Sequence, residues 1–511
     1  MRLKSRHFAL AAVAALSTTT CAFADKANDT VRIPIRETLA TVWAADDPRP
    51  ETAMATYSIF DALLCYDAEG RQFHPVLAQS WRQLNDTTFE FTLRNDVKWH
   101  DGSDFTIEDV VYSFEYYVDR AASSRFASEF NWFESATQTG PDTIEIKTKA
   151  PSPKALMWLA VQGRIVPAEI HRAFEDKSAF GRENPVGTGP YKFVSMDSAS
   201  GVKLELNEHY TQVAPCRPTG SIGTVELIPV PDTQTQLAQL MTGGLDIVKA
   251  SSRDEAELLL ANPAFEATST QAFLLFHLSL DAVNQSGKVP FLTDLRVREA
   301  IFRSIDRLSV ATSVLPGGDA LQAIDALCLP KQRGCSFTEV PDPYDPDEAR
   351  RLLAEAGYDD GFDVILTAPT GSSVLAEAIA GEMRKVGIRA AVEPVTFPAY
   401  SRKEAEGSVQ MLVHYYGFED VSRTVDRFFG ASARDYWKDE DIRVWMAEAE
   451  TTLDLPTRED LYKRIFDRVN ENYYVMALTN RPDMFIHTKD LSLPRDTAGS
   501  FGLSLYDLRW K

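Results

Sequence analysis

Between Tyr344 and Val395 the chain spells out a helix, a strand, a second helix and a second strand, and this order constrains the fold more than any other feature. Asp345 stands where a helix N-cap is needed, Pro346 falls in the first turn, where its missing amide costs nothing, and Gly357 sits just past the end. Phe362 to Leu366 reads as a strand, Ser373 to Lys385 as a helix stopped by Gly387, and Arg389 to Val395 as a strand. A strand–helix–strand passage of this length pairs its strands in parallel, so an α/β fold is predicted.

At 511 residues the chain exceeds what one hydrophobic core supports, and two or three domains are expected. Val31 to Ile35 predicts a first strand, followed by Trp43 and a Pro-bearing loop. Residues 71 to 180 read as a compact insert. In it, Thr88 to Leu93 alternates so that Phe89, Phe91 and Leu93 share one face, and His100-Asp101-Gly102 makes a turn. Thr106 and Asp109 have the spacing of a capping box for a helix whose apolar face carries Val110, Phe114 and Tyr117. After GTGPYKF (187–193), strands are predicted in VKLELNEHY and over Val225 to Val230, then a helix over Asp232 to Gly243.

The first residues carry Arg2, Lys4 and Arg6, an apolar run from Phe8 to about Leu16, and Ala22-Phe23-Ala24, the order of a secretory signal with cleavage after Ala24. Residues 1–24 are therefore assigned to a signal peptide and the chain to the periplasm. Cys21 raises a lipoprotein alternative, but Thr18-Thr19-Thr20 lacks the aliphatic residue such a site uses. No later stretch reaches the 18 to 20 apolar residues of a membrane helix, so no direct membrane insertion is expected. The net charge of −21, more negative once three basic residues leave with the signal, disfavours nucleic acid. In an oxidising compartment, Cys328 and Cys335 bracket the short loop CLPKQRGC and predict a disulfide, worth about 2.5 kcal/mol by loop closure. Cys65 and Cys216 either pair or stay reduced.

LRNDVKWHDGSDFTIEDVVYSF (93–114) resembles the signature of the extracytoplasmic solute-binding proteins, family 5, of peptide and nickel ABC importers. NPVGTGPYKF (184–193), LAQLMTGGLDIV (237–248), LRVREAIFRSIDRLSV (295–310) and YDPDEARRLLAEAGYDDGFDVIL (344–366) continue it in the family's order. The resemblance implies a two-lobed, Venus-flytrap periplasmic-binding-protein fold. Its first lobe would be discontinuous, 25–70 plus 181–268 plus 485–511, with 71–180 as an extra subdomain. The second lobe would span 269–484, and the two chain crossings would form a hinge. The implied partners are a small-molecule ligand (a peptide, opine or similar amino-containing solute) and an inner-membrane permease with ATPase subunits; the chain itself is expected to act as a monomer.

Within VQMLVHYYGFEDVSRTVDRFF (409–429), the resemblance places Tyr416 at an aromatic ligand contact and Glu419 at the acid that receives a ligand ammonium, with Asp420 as the alternative. The Asp-Pro that often follows in peptide binders is absent, and Val421-Ser422-Arg423 stands instead. Such a carboxylate in a desolvated cleft contributes roughly 1.5–3 kcal/mol, against under about 1 on the surface. The alternative is a solvated acid pair, or pairing with Arg423. Tyr415, Tyr416 and Phe418 divide between core and cleft, and Arg423 either forks onto a ligand carboxylate or pairs with Asp420 or Asp426. Trp43 either stacks on ligand or belongs to a core, and His414 is the one histidine within reach of the cleft, with a place outside it the stronger reading.

Enzymatic signatures are missing from the linear sequence. The eight histidines show no HExxH or comparable spacing, GTGPY lacks the length and ending of a P-loop, and neither GxSxG nor a strand-GxGxxG-helix unit occurs. No catalytic residue, metal site or cofactor is nominated, and the chain is read as a binding protein rather than an enzyme. Chemoreceptor or chaperone service and, more remotely, a periplasmic hydrolase are the competing functions.

Overall fold

The computed structural model describes residues 25–47, 49–123, 130–494 and 503–511; residues 1–24, with Cys21 and the expected signal peptide, lie outside them. A four-stranded sheet, in the order Thr30–Ile35, Thr224–Pro229, Gly201–Leu206, Tyr191–Asp197, carries the first core, which gathers Ile33, Trp43, Phe60, Phe180 and Leu204. The inserted subdomain has its own four-stranded sheet and an aromatic core of Phe89, Phe91, Phe114, Phe130 and Trp158. Its strand Thr88–Leu93 buries Phe89, Phe91 and Leu93 as the alternation predicts.

A six-stranded sheet, in the order Ile247–Lys249, Val475–Thr488, Phe265–Leu280, Met411–Tyr416, Phe362–Pro369, Ile388–Val395, holds the predicted parallel pair, Phe362–Pro369 beside Ile388–Val395. The first of these strands extends three residues beyond the expected Leu366. Asp345 caps its helix by accepting from the amides of Asp347 and Glu348, and Gly357 takes φ +85°.

Two strands of this sheet are unusually long. Phe265–Leu280 and Val475–Thr488 run antiparallel from Phe265↔Thr488 to Ser279↔Val475. At about 3.3 Å per residue, the 16-residue strand reaches about 50 Å. Phe485 lies in the first core, whereas Leu278, Leu280, Met476 and Leu478 lie in the second. The register slips between Gln271 and Leu275 and again before His277, so an irregularity falls midway between the cores.

Both cysteine pairs form disulfides: Cys328–Cys335 as predicted, and Cys65–Cys216, which closes the alternative the sequence left open. The expected capping box takes a different form. The Asp109 carboxylate accepts from the Thr106 amide (2.8 Å), but the Thr106 hydroxyl also donates to Asp109 (3.1 Å). Asp109 further accepts from the Ala168 amide at 2.7 Å, which makes it a buried hub of the insert.

At the His100-Asp101-Gly102 turn, Gly102 has φ +91°, and the His100 ring reaches the GTGPY segment. Burial lowers the His100 pKa to about 4, so the ring is neutral; Nε2 donates to the Gly189 carbonyl (2.9 Å) and Nδ1 accepts from the Gly187 amide (3.3 Å). Both glycines are sterically required. A Cβ on Gly187 would stand 1.9 Å from the Ile59 carbonyl oxygen, and one on Gly189 2.5 Å from that of Ser58.

Candidate functional site

The strand Met411–Tyr416 ends at Gly417, whose φ of +154° and closeness to strand Phe265–Leu280 exclude a side chain; a Cβ would lie 1.8 Å from the Phe273 carbonyl oxygen. The chain then turns through Phe418 and Glu419 into the helix Val421–Phe429, capped by Asp420. This junction forms one wall of a cavity of about 490 Å³. Trp43, Pro50 and Tyr57 supply another wall, and Tyr117, Phe130, Trp158 and Arg164 of the insert a third. The lining is largely apolar and aromatic with a few charged groups, the composition of a small-molecule site.

The two adjacent acids are placed differently. Glu419 is 2% exposed and lines the cavity. Asp420 is equally buried but does not line it: its carboxylate accepts from Arg458 and from the Ser422 amide, the latter at 2.9 Å. Both bonds go to Oδ1, an N-cap and a sealed ion pair, and they favour Asp420 as a structural anchor over the ligand acid. Arg423 lines the cavity with its guanidinium carbon 3.5 Å from the centre of the Phe418 ring, a cation–π contact.

Tyr416 and Phe418 also line the cavity, in edge-to-face contact at 5.1 Å. Tyr415 joins them, under the Arg481 guanidinium at 4.1 Å. His414 reaches the wall, and burial lowers its pKa to about 3, which keeps it uncharged. Trp43 borders the cavity but is 1% exposed, its ring packed edge-on against Phe60 (4.8 Å) and Phe180 (6.2 Å). Of its two readings, this packing favours the core residue that backs the wall.

Arg164 supplies the strongest electrostatic feature. It lines the cavity at 9% exposure, rests 4.3 Å from the Tyr57 ring centre, and donates only a long bond of 3.4 Å to the Phe60 carbonyl. Among the described residues no carboxylate stands within ion-pair reach of it, and its Nε has no hydrogen-bond partner. Asp61, a buried acid that acts on it electrostatically, is committed to Arg217 at 2.7 Å and to the hydroxyls of Thr188 and Tyr210. Burial, then the neighbouring Arg217, lowers the Arg164 pKa. Arg164, Arg217 and Asp61 together leave one uncompensated positive charge at the cavity wall.

A profile of the family described as bacterial extracellular solute-binding proteins, family 5 (middle region), matches residues 72–435. The chain belongs to this family. The glutathione-binding protein GsiB of Shigella dysenteriae is 25% identical over 532 aligned residues, covering 98% of both chains. In fold, NikA of Brucella suis in complex with Fe(III)-EDTA superposes with a TM-score of 0.82 at 21% identity, covering 94% of this chain and all of that one. DppA of Helicobacter pylori, a periplasmic binding protein bound to the peptide STSA, gives 0.74 at 20% identity, covering 95% of this chain and all of the other. This family-5 protein is thus the substrate-binding component of an ABC importer, built on the two-lobed fold.

The insert's contribution to the cavity wall is not legible in the sequence. Tyr117 was assigned to the apolar helix face, and Arg164 lies in GRIVPAEI, where nothing in spacing or composition marks a charge as buried. Only the 156-residue separation of Asp61 from Arg217, invisible in linear order, explains why Asp61 is unavailable to Arg164. Among the described residues, no group of three His, Cys, Asp or Glu side chains is placed to hold a metal, and no helix is long and apolar enough to cross a membrane.

Proposed function

We propose that this family-5 protein captures a small zwitterionic solute, one bearing an ammonium group and at least one carboxylate, between its lobes in the periplasm and releases it unchanged to the permease. Arg164 carries the reading: a buried guanidinium in a cavity wall, with no counter-ion among the described residues, suits the carboxylate of a solute. Glu419, on the wall from the other lobe, receives the ammonium. Tyr416, Phe418 and Arg423 flank the solute, and the apolar rings of the insert enclose its body. Glutathione, EDTA and peptides, named with the relatives above, all carry carboxylates, which supports the same chemistry here.

The lobes are 25–70 with 181–268 and 485–511, carrying the insert 71–180, and 269–484, with cleavage of the signal after Ala24. In support, Thr268 and Ser269 face Phe485 and Met484 across the long strand pair, so both crossings fall at one level. A ligand touching both lobes stabilises closure by its additional contacts there. The chain acts as a monomeric carrier without catalysis of its own.

Thermal unfolding in the presence of reduced glutathione, the dipeptide Met-Leu, agropinic acid and a neutral disaccharide tests the reading. A carboxylate-bearing amino compound at a hundred times its Kd stabilises the fold by about 2.7 kcal/mol. Stabilisation by the disaccharide with no response to the three carboxylates contradicts it.

A further inference from the structure

The loop closed by Cys328–Cys335 lies directly behind the cavity wall. Its Gln332 is fully buried. The Gln332 Oε1 accepts from the Leu329 amide at 2.5 Å, inside the loop, and Nε2 donates outward to the Phe418 carbonyl at 2.6 Å, with the Phe273 carbonyl at 3.5 Å. Next to it, the Arg333 amide donates to the Glu419 carbonyl (2.8 Å) and the Arg333 carbonyl accepts from the Val421 amide (3.0 Å). Phe418, Glu419 and Val421 are thereby held from behind, by a loop more than 80 positions earlier in the chain.

Two further contacts give this brace a direction. Phe273 sits within the register slip of the long strand pair, and its side chain enters the core of the insert. On its other side the loop presents Arg333 over the Phe73 ring, 5.3 Å away, on the hairpin that Cys65–Cys216 ties to the first lobe. The loop touches the ligand wall, the crossing strand and the opposite lobe at once.

We propose that Gln332 is a positioning residue that fixes the Phe418–Glu419 wall against the hinge strand, and that the disulfide holds Gln332 in the geometry this requires. An amide side chain suits the position because it both closes its own loop as an acceptor and spans two carbonyls as a donor. Hydrocarbon of the same length leaves three buried polar groups unpaired. The inference rests on the reading that Phe418 and Glu419 face the solute, but its test does not need the solute.

Hydrogen exchange of the ligand-free mature chain, compared between wild type, Gln332→Met and Glu419→Gln, tests it. In Gln332→Met the Val421 and Arg333 amides exchange at least about tenfold faster, while the strands Phe362–Pro369 and Ile388–Val395 keep their wild-type protection. Glu419→Gln leaves Val421 unchanged, so failure of the ligand assignment and failure of the brace give different results. Unchanged exchange at Val421 in Gln332→Met, or equal acceleration throughout the second lobe, overturns the proposal. Where Gln332→Met does not fold, the Cys328→Ser/Cys335→Ser chain is measured instead, with the same selective loosening expected and the same uniform result overturning it.

Discussion

Asp420 and Arg458 form an ion pair sealed from solvent, while Glu419, the residue immediately before Asp420, faces the cavity. The two adjacent carboxylates are therefore separable by experiment. Asp420→Asn keeps the helix cap but strands the Arg458 guanidinium, and the expected loss is about 3–5 kcal/mol in chemical denaturation, with solute affinity in the folded fraction within about twofold of wild type. Glu419→Gln is expected to weaken affinity by about tenfold or more, with a smaller loss of stability than Asp420→Asn.

Arg164→Met removes a buried charge that has no carboxylate partner among the described residues. The ligand-free variant is expected to melt at or above the wild-type temperature, because the desolvation cost of the guanidinium disappears and a methionine fills the same volume. A variant clearly less stable than wild type indicates that Arg164 is structural.

Burial holds the rings of His100 and His171 to pKa values of about 4, and that of His414 to about 3, whereas an unfolded histidine titrates near 6.5. The unfolded chain then binds more protons than the fold below about pH 6.5. Stability is complete above that pH and declines as the pH falls toward 4, by up to about 1.4 kcal/mol per pH unit for each ring. His171→Asn, which retains an acceptor for the Tyr112 hydroxyl now 2.7 Å from Nδ1, is expected to flatten the decline measured by melting between pH 7 and 4.

The two disulfides close loops of very different length, with sequence separations of 151 and 7. Loop-closure entropy assigns about 5 kcal/mol to Cys65–Cys216 and about 2.5 kcal/mol to Cys328–Cys335. Denaturant unfolding of the two double-serine variants is expected to rank them in that order.

What was legible in the sequence follows from range. The cap at Asp345, the helix between Asp232 and Gly243, the stop at Gly387 and the alternation of Phe89, Phe91 and Leu93 are decided within a few residues, and each element forms where the sequence places it. The cavity wall 416–423 was legible through the family's pattern, but the split between Glu419 and Asp420 depends on Arg458, 38 residues away. Trp43 illustrates the same limit: its core partner Phe180 arrives only after the entire insert has been threaded. Arg164 is the plainest case, since the absence of a partner is a property of the folded chain alone.

Mass spectrometry of the solute retained by the natively purified chain, set beside the same measurement on Arg164→Met, tests the central claim most directly. The expected result is a small amine-bearing compound with a carboxylate or equivalent anion, present with the wild type and lost from the variant. Retention of a neutral or purely cationic solute, or equal retention by both chains, would contradict the account.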